Sequence, residues 1–91
     1  MGYVVISYDI SDDGSRTRVS GILEGYGQRV QYSVFECRID EKTLKKLLDR
    51  IRTFPKGKDS IRVYRICEGC LKKVTIIGRG QIKEESKFLV V

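Results

Sequence analysis

Two apolar stripes at helical spacing constrain this chain more than any other feature. Val19, Ile22, Leu23 and Tyr26 fall at i, i+3, i+4 and i+7, and Leu44, Leu47, Leu48 and Ile51 repeat the pattern. Each is the one-sided stripe of an amphipathic helix. The first predicts a helix over residues 15–26 with Gly27 as its stop, and one of Asp9, Asp12 and Asp13 is placed to cap it. The second predicts a helix that Asp40 caps and that Pro55 and Gly57 end. Around these stripes, residues 3–10, 29–39, 60–67 and 72–78 are rich in Val, Ile, Tyr and Phe and read as strands. Segment 29–39 is long enough to hold a bulge or a bend. Residues 68–71 are short enough to join the last two strands as a hairpin, residues 80–87 read as a polar connector, and residues 88–91 form an apolar tail.

The order strand, helix, strand, helix, strand, strand points to an α+β two-layer sandwich, two helices on one face of a mostly antiparallel sheet, in a single domain over 1–91. Alternation puts Tyr3, Val5, Ser7 and Asp9 on one face of the first strand and Val4, Ile6, Tyr8 and Ile10 on the other. The second, more apolar set is expected to face the helices. The first set and residues 74–77 are also too apolar for a solvated face, and the sequence holds no third layer to cover them. A second copy on a twofold axis is the simplest cover, with the apolar tail pairing along the partner's sheet edge. A chain of 91 residues buries only about 60–65% of its unfolded surface, so a partner copy also helps stability.

Composition narrows the function classes. Eighteen Lys and Arg against twelve Asp and Glu leave a net charge of +6 and a pI near 9.4, which suits a polyanionic partner if the excess clusters. Apolar runs fall far short of the roughly 20 residues of a membrane span and the N-terminus lacks a signal-peptide layout, so no membrane role is expected and the cytoplasm is the expected location. Three cysteines, Cys37, Cys67 and Cys70, suit a reduced compartment. Cys67-Glu68-Gly69-Cys70 is a lone C-x-x-C, and with no His a four-ligand zinc site would need two chains. Two plain thiols are the simpler reading, and a disulfide would suit a thermophile.

The absence of His excludes imidazole acid–base chemistry and Ser-His or Cys-His nucleophile pairs. Asp9 ends a strand of apolar residues. Beside a twofold axis it would meet its own symmetry mate, and two carboxylates that close repel unless a proton or cation lies between them. Mg²⁺ fits such a site because it binds through one or two carboxylates and keeps its waters, and it supports attack on a phosphodiester. The alternative is that Asp9 is the first of three turn-forming acids before the helix. Arg16 and Arg18 in the first helical turn oppose the dipole; they make either an anion site beside the free amides or a solvated surface.

Tyr8-Asp9-Ile10, then Asp12, Arg16 and Arg18, then Gly27-x-Arg29-x-Gln31-x-Ser33-Val34-Phe35-Glu36, with Ile77-Gly78-x-Gly80 near the end, is similar to the signature of the CRISPR-associated Cas-two family. The resemblance extends over nearly the whole chain. It implies a ferredoxin-like α+β domain paired sheet to sheet as a homodimer, although that fold has one more strand before its second helix than segment 29–39 shows unless a bend splits it. It also implies that Asp9 binds Mg²⁺ or another divalent cation, with Tyr8, Arg16, Arg18, Arg29, Ser33 and Phe35 around it as the catalytic set and the three arginines meeting nucleic acid. Family members are metal-dependent endonucleases on RNA or double-stranded DNA, and central dimers that bridge the CRISPR-associated integrase and a DNA duplex during spacer capture. A related toxin-like ribonuclease family, acting on single strands and unrelated to spacer acquisition, is the competing reading.

Overall fold

The computed structural model describes residues 2–78. Chain order is β1 (Gly2–Asp9), α1 (Asp13–Glu24), β2 (Gly27–Gln31), β3 (Val34–Ile39), α2 (Glu41–Ile51), β4 (Ser60–Ile66) and α3 (Glu68–Leu71). Among the described residues, four strands form one antiparallel sheet in the order β2-β3-β1-β4. This is the ferredoxin-like arrangement, with β1 and β3 central and β2 and β4 at the edges.

The helix-facing core is the set that alternation selects. Val4, Ile6, Tyr8 and Ile10 pack with Phe35, Cys37 and Ile39 of β3, Val19 and Leu23 of α1, and Leu44, Leu47 and Ile51 of α2. Asp12 and Asp40 cap the two helices, their carboxylates accepting from the amides of Ser15 at 2.8 Å and Thr43 at 2.7 Å. Each cap satisfies an amide that the helix itself leaves open.

Three expectations change. Helix α1 ends at Glu24, with Gly25 as its cap, so Tyr26 lies beyond it and Gly27 opens β2 instead of stopping the helix. A Cβ at Gly27 would lie 2.2 Å from the Glu36 carbonyl oxygen and 2.6 Å from Cys37 Sγ, so glycine is what lets β2 close against β3. Segment 29–39 is two strands, divided by a turn at Tyr32-Ser33 with a register shift between Arg29 and Gln31. That division supplies the strand that the ferredoxin-like order needs.

The third change is at the far end of β4. Residues 68–71 are a helical turn and not a hairpin loop, and residues 72–78 form no strand. Helix wins because Cys67 caps the turn, Glu68 reaches Arg38 at 3.4 Å, and Leu71 is carried onto Tyr3. Leu71 is 1% exposed there, and Val74 and Ile76 follow onto the same patch with Val5 and Ile66. The chain therefore covers part of its own second sheet face, a layer the sequence was not expected to hold. The expected connector and tail at 80–91 lie outside the described residues, among which no helix is long and apolar enough to cross a membrane.

Candidate functional site

Cover on the second face, the one turned away from α1 and α2, runs out along β1. Register pairs Tyr3 with Ile66 and Arg38, Val5 with Tyr64 and Glu36, Ser7 with Arg62 and Val34, and Asp9 with Ser60, and directly paired residues share a face. At one end Tyr3 is 2% exposed under Leu71, and its hydroxyl donates to the Glu36 carboxylate. Burial, reinforced by that bond, pushes the Tyr3 phenol well above its ordinary range. At the other end Asp9 and Arg62 are exposed, Tyr64 is 49% exposed, and Ser7 and Val34 are half-buried. Asp9 thus stands at the edge of a partly apolar, uncovered half-face.

Tyr8, Arg29, Ser33 and Phe35 converge on the opposite side, around the turn between β2 and β3. Tyr8 and Phe35 are 4% and 0% exposed, their rings stacked with centroids 6.3 Å apart. The Arg29 guanidinium lies over the Phe35 ring at 5.2 Å and donates to the Tyr32 carbonyl at 2.6 Å. Glu24 lies 3.6 Å from the same guanidinium. The Tyr8 amide donates to the Ser33 carbonyl at 3.1 Å, and its hydroxyl donates to the Tyr32 carbonyl at 3.5 Å. These contacts hold the turn against the end of β1, so the strand leading to Asp9 is fixed from its neighbours.

Arg16 braces the next segment. Its guanidinium donates to the carbonyls of Ile10 at 2.9 Å and Ser11 at 3.4 Å and pairs with Asp13. The bond to Asp13 raises the Arg16 pKa further. The Ser15 amide at the helix start belongs to Asp12, whose carboxyl is held below its usual value first by that bond. Arg18 points from α1 into solvent, with no ion-pair partner among the described residues. The seven residues that the resemblance implies as the catalytic set therefore divide into a clamp (Tyr8, Arg16, Arg29, Ser33 and Phe35) and two exposed charges, Asp9 and Arg18.

Asp59 is a positioning residue that sequence reasoning missed. Its carboxylate accepts from the Lys56 amide at 3.0 Å and from the Ser11 amide and hydroxyl at 3.0 and 2.8 Å. These bonds, the one from Lys56 first, hold its carboxyl below the usual value. It ties the loop before β4 to the segment after Asp9, a long-range contact with no local sequence signal.

Asp9 alone cannot cage a metal, and among the described residues no three His, Cys, Asp or Glu side chains converge to do so. A hard, exposed carboxylate oxygen does match the habit of Mg²⁺, which takes one or two carboxylates and retains water. On the helix side, Lys42, Lys45, Arg52 and Arg65 line a shallow groove with Glu41 and Leu48. Arg65 pairs with Glu41 at 2.7 Å and Arg52 with Asp49 at 3.0 Å, so Lys42 and Lys45 carry the groove's unbalanced charge.

Fold and site together define a ferredoxin-like α+β domain with one exposed carboxylate at the end of its central β1 strand and a basic flank. The sequence profile described as CRISPR associated protein Cas2 matches residues 1–74, and the chain belongs to that family. It is 38% identical over 91 residues to the CRISPR-associated endoribonuclease Cas2 1 of Chloroflexus aurantiacus, spanning 98% of both chains. To the CRISPR-associated endonuclease Cas2 2 of Thermus thermophilus it is 39% identical over 80 residues, 87% of this chain and 84% of the relative. Among solved structures, a chain of a partial Cas6-RT-Cas1–Cas2 complex superposes with a TM-score of 0.71 at 30% identity, covering 85% of each chain.

Proposed function

We propose that this protein works in CRISPR adaptation as a homodimer joined through the uncovered half of its second sheet face, holding nucleic acid and bridging the CRISPR-associated integrase. The observation that carries this reading is the gradient of cover on that face, closed over Tyr3 by the chain's own α3 and open from Ser7 to Asp9. A twofold copy packed there hides Val5, Val34 and Tyr64 and brings two Asp9 carboxylates together. The structural likeness to a chain from a Cas1–Cas2 complex supports the integrase as partner.

In this reading the paired Asp9 carboxylates hold Mg²⁺ or another divalent cation, which when bound neutralises phosphate charge and promotes phosphodiester hydrolysis. Asp9 provides the anionic oxygens, and the clamp of Tyr8, Arg16, Arg29, Ser33 and Phe35 keeps the strand end rigid so that the two carboxylates stay in register. Arg18 and the groove lysines Lys42 and Lys45 meet backbone phosphates, which binds a duplex or RNA without reading its sequence. The names of the relatives, endoribonuclease and endonuclease, support phosphodiester cleavage.

The test pairs wild type with Asp9→Ala, purified identically and checked by sedimentation, on labelled single-stranded RNA and duplex DNA with Mg²⁺ or EDTA. Metal-dependent cutting that the variant loses while staying dimeric is the expected result. Equal cutting by both would overturn Asp9 as the catalytic centre. A wild-type protein that sediments as a monomer at high concentration would overturn the dimer itself.

A further inference from the structure

Cys67 and Cys70 lie just beyond the end of β4, at the opposite end of that strand from Asp9. Both are free and exposed, whereas the third cysteine, Cys37, is buried in the helix-facing core. Cys67 is the N-cap of α3, and its Sγ accepts the Cys70 amide at 3.4 Å. The two thiols therefore sit on one helical turn, with the Cys67 sulfur already turned toward Cys70. A disulfide requires Cα atoms about 4.4–6.8 Å apart, a span that one turn of about 5.4 Å pitch supplies.

The turn itself needs support. Four residues are far below the length at which a helix persists in water. The turn is held by the buried Leu71 against Tyr3 and by Glu68 paired to Arg38. A covalent link from its N-cap, Cys67, to its third residue, Cys70, would fix it from within, and with it the cover over the Tyr3 end of the open face.

We propose that Cys67 and Cys70 form a reversible intramolecular disulfide, made and broken by exchange with low-molecular-weight disulfides and thiols, that staples the α3 turn seating Leu71 on the sheet. The Cys67 thiolate attacks one sulfur of an external disulfide, forming a mixed disulfide and releasing one thiolate. Cys70 then loses its proton to solvent and attacks Cys67 Sγ, releasing the second. The protein gives up two electrons and two protons, and the external disulfide becomes two thiols. The order follows from the thiols: the bond from the Cys70 amide holds Cys67 below its ordinary value, so it is the readier thiolate, while its hydrogen bond to Cys67 raises Cys70. Burial pushes Cys37 up to about 11 and keeps it out of the exchange.

The test equilibrates the full chain in buffers of reduced and oxidised glutathione, quenches with acid, alkylates, and weighs the intact protein. Oxidised wild type should lose both exposed alkylation sites and retain no glutathione, while Cys70→Ser should stop with one glutathione attached. Cys67→Ser should react more slowly than Cys70→Ser, because the readier thiolate is gone. Amide exchange of Leu71 to Lys73 should slow on oxidation. A wild type that keeps glutathione, cross-links between chains, or stays a dithiol in fully oxidising buffer would overturn the pair. Unchanged exchange at residues 71–73 in a protein shown to be oxidised would overturn the stapling role.

Discussion

The two faces of the sheet come from the same strands, yet they are finished differently. Toward α1 and α2, every inward side chain of β1 and β3 is sealed: Ile6 and Phe35 have no exposure, and neither do Leu23, Leu44 and Leu47 opposite them. On the other face the seal depends on one four-residue turn and an extended segment, and it stops after Val5. A helix of 11 or 12 residues brings a whole apolar stripe to a sheet, whereas α3 brings one leucine. The difference teaches where this fold keeps its stability and where it keeps surface for a partner.

Truncation at the sealed face should hurt most. Phe35→Ala removes a fully buried ring together with the platform under Arg29, and should lower unfolding free energy by about 3–5 kcal/mol, read from urea melts. A smaller loss would mean that the neighbouring Tyr8 ring collapses into the gap. Leu71→Ala tests the other face and should cost about 2–3 kcal/mol, toward the low end for buried leucine, because the patch it seals is small. A loss equal to that of Phe35→Ala would erase the contrast between the faces.

A smaller effect separates the faces by pH. The Tyr3 phenol is raised by burial and by its bond to Glu36, so the folded protein keeps a proton there that the unfolded chain sheds above pH 10. The contribution is therefore complete below the unfolded value and lost as pH rises through the folded one. Urea midpoints should fall more steeply above pH 10 in wild type than in Tyr3→Phe. Parallel curves would show that this end of the face is solvated. The smallest effect belongs to the uncovered end: Asp9→Asn should change protomer stability by no more than about 0.5 kcal/mol while removing metal-dependent cleavage. A large loss of stability would make Asp9 a structural residue.

Much of this was legible in the chain. The face alternation of residues 3–10, both helical stripes and the Asp40 cap were readable because each is decided within a few residues, by side-chain direction or by one hydrogen bond to the nearest amide. The family signature was legible as a string, and it marked Asp9 and its neighbours as one group. Alternation separated Tyr8 from Asp9, but nothing in the string showed that Arg29, Ser33 and Phe35 join Tyr8 around the turn, away from Asp9. Arg16, read as either half of an anion site or a solvated surface arginine, braces the Ile10 and Ser11 carbonyls.

Local chemistry in the sequence by itself determined the α+β class, the helix-facing core and the caps. Tertiary structure decided the break at Tyr32-Ser33, where a long run read as one strand divides because Tyr8 and Arg29 both bond the turn's carbonyl. It decided that residues 68–71 form a helical turn, which carries Leu71 onto Tyr3. It also placed Asp59 against Ser11. In each case the local options are close in free energy, and a contact with a residue distant in the chain selects among them.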